Sequence, residues 1–450
     1  MNPSRRRHLQ QAGAVAVAAG LLPAPLPALS RGRPKTLDLV PQRTVVWRDF
    51  LGVNAQLQYV PQEMARKQVA AFKKLGLQWL RLGLHWMLIE PRAGQFELQD
   101  VDRMMALVRD EGLRSITTVV GTPRFLSSAP DTAIGKKHFD KFPPRDPNAY
   151  AQRLMQLAKR YPQVDVWQVW NEPNIPGFWL PKADPQGYAK LLAPAVMGLR
   201  AVQPGKPIAM AGMAYYSQMY GRGGLMLEDM GRLGAYGLDL IVAYHPYTAE
   251  PEGADDGSRD FLQHAPFIHK WLRAAGVKQI WATEWGWSSY AGPKEEQPII
   301  GEDGQADYTL RRLALMAAID YDKIFLFTLA DLDERAGVRD RRYGLLRESG
   351  EPKPVYHALQ RFLSISGPRL APGRTPQVDG GLPKGLVSIG WQREDGRRLW
   401  MAWADEPVTL KLPGIKQATL HDPLTGKQTA LSDADAISLP VTRTLQMLVY

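Results

Sequence analysis

The chain has 450 residues, 45% hydrophobic and 22% charged, a balance that excludes a disordered chain, a collagen-like repeat and a polytopic membrane protein. It has no cysteine, which excludes disulfide frameworks, thiolate nucleophiles and Cys-ligated metals, and its net charge of +11 raises the question of an anionic partner. A chain of this size holds two or three domains, or one α/β barrel of about 250 residues with an attachment.

Residues 1–30 place Arg5, Arg6 and Arg7 before an apolar run from Ala12 to Leu22 and a Pro- and Ala-rich stretch ending Ala28-Leu29-Ser30. This order predicts a removable export signal. Ser4-Arg5-Arg6-Arg7-His8-Leu9-Gln10 resembles the twin-arginine pattern, with His8 where Phe is usual and Gln10 where Lys is common. An ordinary secretory signal and an uncleaved anchor are the alternatives. The run is shorter than the roughly 20 residues that span a bilayer, so no stable membrane span is expected and the protein should be exported, periplasmic or secreted. Three of the positive charges belong to this segment.

From Val45 short apolar β-type runs alternate with helical patterns, the order of βα units on a parallel sheet. Eight strands are predicted, at residues 45–53, 78–86, 114–121, 164–172, 207–215, 238–247, 278–287 and 323–331. Helical stripes lie between them, such as Val101, Met104, Met105 and Val108. Residues 31–365 therefore read as a (β/α)8 TIM barrel, an α/β fold whose chemistry sits at the strand C-terminal ends. A last helix is predicted over 355–363 and a Gly- and Pro-rich linker over 366–382. Short alternating runs follow, so residues 366–450 are expected to form a small antiparallel β-sandwich module.

The fourth strand runs into Asn171-Glu172-Pro173-Asn174 and the seventh ends Thr283-Glu284-Trp285-Gly286-Trp287. Strict alternation points Asn171 and Glu172 to opposite sides, so both serve one pocket only if the strand end is kinked, as Pro173 allows. Two glutamates on opposed strands suit acid/base or nucleophilic chemistry at a sugar acetal: a separation of about 5 Å suits retaining glycoside hydrolysis and about 6.5 to 9.5 Å the inverting reaction. The bland alternative is a pair of solvated or salt-bridged rim residues. Glu90 and Asp331 also lie near strand ends but lack an opposed partner.

Trp170-Asn171-Glu172-Pro173-Asn174 and Thr283-Glu284-Trp285-Gly286-Trp287 resemble the acid/base and nucleophile motifs of clan A glycoside hydrolases, and the likeness extends to Arg81, the Trp86 to Gly94 stretch, Thr122-Pro123 and His245-Pro246-Tyr247. The barrel, small β module and export signal are together similar to glycoside hydrolase family 39, especially its bacterial exopolysaccharide endoglycosidases. The resemblance implies Glu172 as acid/base and Glu284 as nucleophile, with no metal or organic cofactor. With those roles Arg81 would hold Glu284 ionised, Asn171 would donate to the sugar 2-hydroxyl, and His245 and Tyr247 would partner the nucleophile; the alternatives are a barrel-layer Arg paired with a structural acid, a strand-end turn Asn, and a packed His with a core Tyr. Trp86, Trp179, Trp285 and Trp287 are candidate sugar platforms, whereas Trp79, Trp167 and Trp281 read as core. Strand eight, ending Phe327-Thr328-Leu329-Ala330-Asp331, lacks the Trp that many clan members place beneath the sugar.

Lys136, Lys137 and Lys141 after strand three, with Arg335, Arg339, Arg341, Arg342 and Arg347 after strand eight, are expected to rim the groove and attract an anionic glycan, or else to be ordinary loop charges. The implied activity is endo-cleavage of a secreted or capsular polysaccharide, with a polysaccharide or oligosaccharide as partner. An exo-acting β-glycosidase or uronidase, a biosynthetic transglycosylase and a non-catalytic polysaccharide-binding protein are the alternatives. Nucleic acid is not expected, because no recognition-module motif is present, and a monomer is expected.

Overall fold

A computed structural model describes residues 36–214, 226–253, 261–293, 299–334 and 336–450. The segment read as an export signal, Tyr215 and Arg335 lie outside the described residues. Two short strands come first, β1 (Leu37–Leu39) and β2 (Val45–Val46). The barrel follows: β3 (Leu51–Ala55), β4 (Trp79–His85), β5 (Arg114–Val120), β6 (Val166–Val169), β7 (Ile208–Ala214), β8 (Ile241–His245), β9 (Gln279–Trp285) and β10 (Lys323–Leu326). These eight strands are parallel throughout and close on themselves, β10 pairing with β3.

Helices sit between the strands because each presents one apolar stripe to the sheet. Gln99–Asp110 buries Val101, Met104, Met105, Leu107 and Val108. The helices after β5 and β6, Pro147–Arg160 and Pro185–Val202, both start on Asp-Pro: Asp146 and Asp184 accept from Asn148 and Gly187 N–H, and proline fills the first turn, where its missing N–H costs nothing.

The barrel floor is a layer of Trp79, Ile116, Val166, Ala209, Ile241, Trp281 and Phe325, one from each of seven strands. The eighth strand supplies Gly52, where a Cβ would lie 2.4 Å from the Phe325 ring, so only glycine fits. Lys323 is buried beneath this layer with its ammonium 4.2 Å from the Trp79 ring centroid. The layer above is polar, with Asn54, Arg81, Thr118, Gln168 and Thr283 all buried. That change of character marks the end of the barrel where chemistry is possible.

The first barrel strand is shorter than its predicted run over 45–53. Val45–Val46 instead pairs with β11 (Arg369–Pro372), and Trp47–Phe50 makes one helical turn. Leu37–Leu39 likewise pairs with β12 (Leu386–Arg393), so the segment entering the barrel belongs to the C-terminal sheet, and the predicted linker holds a strand. β13 (Arg398–Ala404), β15 (Gln417–His421), β16 (Gln428–Ser432) and β18 (Gln446–Val449) complete that sheet. The two-stranded β14 (Val408–Pro413) and β17 (Ala436–Val441) pack over it through Leu410, Leu412, Leu439 and Val441 against Trp400, Ala402 and Leu448.

The module also reaches the functional end of the barrel. Glu252, in the loop after β8, accepts from Trp403 of the module and from Arg311 of helix Gly301–Ala318. No helix among the described residues is long and apolar enough to cross a membrane.

Burial pushes the Lys323 amine down to about 7. The unfolded chain, with lysine near its ordinary value, therefore binds the extra proton between about pH 7 and 10. Stability should rise with pH across that window, and Lys323→Met should remove the rise in urea midpoints without altering the fold.

Candidate active site

Two local departures from strand geometry build the site. β6 ends at Val169, after which Trp170 and Glu172 take left-handed backbone angles, φ 72° and 38°. Such angles are costly for residues with a Cβ and persist only where the surroundings enforce them. The Trp170 N–H donates to the Tyr150 hydroxyl, whose own proton goes to the Val119 carbonyl, and the Glu172 N–H donates to Gly212. Behind the kink, the rings of Trp86, Tyr150, Trp170, Trp179 and Tyr188 pack edge to face in an unbroken row. The kink turns Asn171 and Glu172 into one pocket. In β9 the pairing with β10 slips by one residue between Ala282 and Trp285, a bulge that lets the adjacent Thr283 and Glu284 both face inward.

Arg81 is the hub of the pocket. Its Nη1 donates to Glu284 Oε1 at 2.5 Å and Asn54 Oδ1 at 2.8 Å, its Nε to Gln168 Oε1 at 2.8 Å and its Nη2 to Asn171 Oδ1 at 2.9 Å. Because arginine only donates, Asn171 must present its oxygen to Arg81, which leaves its NH2 for the pocket. The Tyr247 hydroxyl donates to the other Glu284 oxygen at 3.2 Å. His245 Nδ1 lies 2.7 Å from Glu172 Oε1 and 3.8 Å from Glu284 Oε2. One oxygen from each glutamate and a nitrogen of His245 lie within 4.8 Å of one another.

The carboxyls are biased in opposite directions. Burial is the largest influence on both and favours the neutral acid. At Glu172 it prevails over His245, and the proton is held above the ordinary range. At Glu284 it is outweighed by the positive charge of His245, when that ring is protonated, and by Arg81, whose charge and hydrogen bond add to that of Tyr247, so the group titrates below the ordinary range.

The loop carrying Tyr247 is set by Arg312, a fully buried side chain that donates to the Pro246, Glu250 and Pro251 carbonyls and to Thr248, with Phe261 3.7 Å below its guanidinium.

The sequence profile of the glycoside hydrolase family 42 beta-galactosidases matches residues 56–177. A beta-xylosidase of Caldicellulosiruptor saccharolyticus is 22% identical over 311 residues, 63% of this chain and 60% of that protein. A family 39 glycoside hydrolase from Bacteroides cellulosilyticus WH2 superposes with a TM-score of 0.70 at 19% identity, over 89% of this chain and 80% of that one. The chain resembles the clan A glycoside hydrolases, family 39 among them. A monomeric beta-xylosidase from Caulobacter crescentus CB15 shares the fold at a TM-score of 0.60 and 15% identity, over 92% of this chain and 99% of that one. This chain spans about 60% of the length of the Caldicellulosiruptor relative.

Several expected contacts differ. His245 bonds Glu172, not Glu284, because it ends β8 with its Nδ1 turned toward the kinked β6. The four tryptophans expected as sugar platforms are interior residues. Trp86 donates to Glu90 and packs on Tyr150, Trp179 lies between Trp170 and Tyr188, Trp285 is fully buried, and Trp287 donates to the Thr248 and Ala249 carbonyls. None of these four rings is more than 2% exposed; the ring shown against Glu284 is Tyr247, which packs on Tyr343 and through it on Phe327. Nothing in the sequence marks Asn54, Gln168 or Arg312, because a buried polar residue inside a strand or helix has no local signature, and Thr283 is conspicuous there only as the neighbour of Glu284.

Glu90 is a structural acid held by Trp86, Arg153 and the Gly94 N–H, and Asp331 is bonded by Lys353 and the Gly344 N–H. Much of the expected basic rim is paired: Lys136 with Asp131, Arg339 with Asp340 and Arg347 with Glu302.

Tyr150→Phe removes the hydroxyl that satisfies both Trp170 and Val119. It should cost about 1 to 3 kcal/mol in urea unfolding, and turnover should fall with it because the strained β6 end loses its anchor.

Proposed function

We propose that this protein is a retaining glycoside hydrolase that cleaves a secreted or capsular polysaccharide within the chain, with Glu172 as acid/base and Glu284 as nucleophile. The observation that carries the proposal is the carboxylate pair: oxygens within 4.8 Å, one group biased toward its protonated form and the other toward its anion. That spacing supports the retaining reaction, at about 5 Å, over the inverting one, at about 6.5 to 9.5 Å.

In the first step Glu284 attacks the anomeric carbon while Glu172 gives its proton to the glycosidic oxygen. The carbon–oxygen bond breaks and a glycosyl ester of Glu284 forms. In the second, Glu172, now a carboxylate, takes a proton from water, the oxygen attacks the same carbon and the ester bond to Glu284 breaks. Asn171 donates its amide to the 2-hydroxyl, a bond that strengthens as charge develops on the ring. Arg81 and Tyr247 keep Glu284 anionic and oriented. The ion pairs at the rim offset part of its positive charge, which weakens the case for an anionic substrate. Export by the twin-arginine route belongs to the same proposal; N-terminal sequencing of the periplasmic protein should begin after Ser30, and a cytoplasmic, full-length chain would overturn it.

A reducing-end assay across candidate polysaccharides tests the activity. New ends spread over internal positions support the proposal; terminal sugar release supports an exo-glycosidase, lengthened chains a transglycosylase, and no product with tight binding a non-catalytic binder. Glu284→Gln should lose turnover on every substrate. Glu172→Gln should lose it on polymer yet still cleave an aryl glycoside whose acidic phenol departs without a proton, because only the acid step is then dispensable. With wild type, kcat/KM should rise as Glu284 ionises and fall as pH climbs through the raised Glu172 titration. Equal loss for both variants on both substrates would contradict the assigned roles.

A further inference from the structure

Below the two carboxylates runs a chain of hydrogen bonds whose donor directions are fixed by groups that can act only one way. Gln168 Oε1 lies 2.8 Å from Arg81 Nε, which can only donate, and Gln168 Nε2 lies 3.1 Å from the Met210 carbonyl, which can only accept. The amide orientation is therefore set twice over. Its NH2 donates onward to Thr283 Oγ1 at 3.3 Å. Thr283 Oγ1 then has its own proton to place, and its other partner is His245 Nε2 at 2.9 Å.

We propose that Thr283, oriented by Gln168 and Arg81, is a positioning residue that fixes His245 near neutral pH as the neutral Nδ1–H tautomer, so that Glu172 there accepts at Oε1 and carries its catalytic proton on Oε2. With Nε2 taking the threonine proton, the ring hydrogen sits on Nδ1 and donates to Glu172 Oε1, 2.7 Å away. The opposite tautomer, or an imidazolium, would turn Nε2 into a donor and leave the Thr283 hydroxyl proton with no acceptor in a fully buried site, at the cost of an unmade buried hydrogen bond. Donation thus runs one way, from Arg81 through Gln168, Thr283 and His245 to Glu172, while the same guanidinium holds Glu284. One cation is in this way bonded to one carboxyl directly and to the other through three side chains.

Gly212 is shaped for this contact. A Cβ there would lie 2.0 Å from His245 Nε2 and 2.6 Å from Thr283 Oγ1, and its carbonyl receives the Glu172 N–H. The tautomer stands on these contacts alone; its effect on turnover rests on Glu172 being the acid/base.

The experiment is long-range 1H–15N correlation spectroscopy on protein labelled at its eight histidines, with the His245 signals assigned by their loss in His245→Gln. The expected result near neutral pH is a protonated Nδ1 and a bare Nε2. Thr283→Val, which keeps the shape and removes the hydroxyl, should lose that pattern and lower kcat on polymer about tenfold with little change in KM. Thr283→Ser should restore both. An Nε2–H tautomer or an imidazolium in wild type would overturn the proposal, as would an unchanged tautomer in a folded Thr283→Val. The wild-type spectrum decides even if that variant does not fold. It needs no substrate, so the expected tautomer in a protein with no glycosidase activity would overturn the role of Glu172 and leave the relay standing.

Discussion

One buried guanidinium organises this molecule's functional end. Arg81 sits in the polar layer of the barrel, 6% exposed, and its nitrogens reach Asn54 on β3, Thr118 on β5, Gln168 and Asn171 on and just after β6, and Glu284 on β9. A charge in that position is tolerable only if nearly every donor is answered and a carboxylate stands beside it. The same requirement fixes the ionised state of Glu284, the orientation of Asn171 and the orientation of Gln168. Electrostatics and geometry are here one constraint.

A second constraint follows from the first. A regular barrel strand cannot point two consecutive side chains into one pocket, yet Asn171 with Glu172 and Thr283 with Glu284 must all face Arg81 or its network. The chain meets this with left-handed residues after β6 and a bulge in β9. Both irregularities are held from outside the pocket, by Tyr150 and its row of aromatic rings on one side and by the β10 register on the other. Aromatic mass that a sugar-binding reading assigns to the groove is used to keep the backbone bent.

What the sequence made legible divides along the same line. Strand ends carrying Glu172 and Glu284 were readable because a carboxylate closing an apolar run is chemically conspicuous, and the barrel was readable from eight apolar runs with helices between them. Pro173 also announced the kink. The partner of His245 was not readable: alternation places His245 and Tyr247 on one face without saying which glutamate each meets. The tryptophans were misjudged because an indole is equally at home against a sugar and in a core, and Trp179 is brought back among Trp170 and Tyr188 by a loop whose path no periodicity encodes. The pairing of Leu37–Leu39 and Val45–Val46 with strands more than 300 residues later is likewise invisible to local pattern.

The proposed division of labour makes Glu284 the anion that bonds covalently to carbon and Glu172 the group that handles protons. Its most direct test is mass spectrometry of the protein after exposure to a 2-deoxy-2-fluoro glycoside of the sugar that it cleaves, because fluorine at that position slows release of the ester more than its formation. The account predicts one glycosyl group per chain, located on the peptide containing Glu284 and absent in Glu284→Gln. A protein that turns the reagent over with no adduct, or that carries the group on another residue, would contradict it.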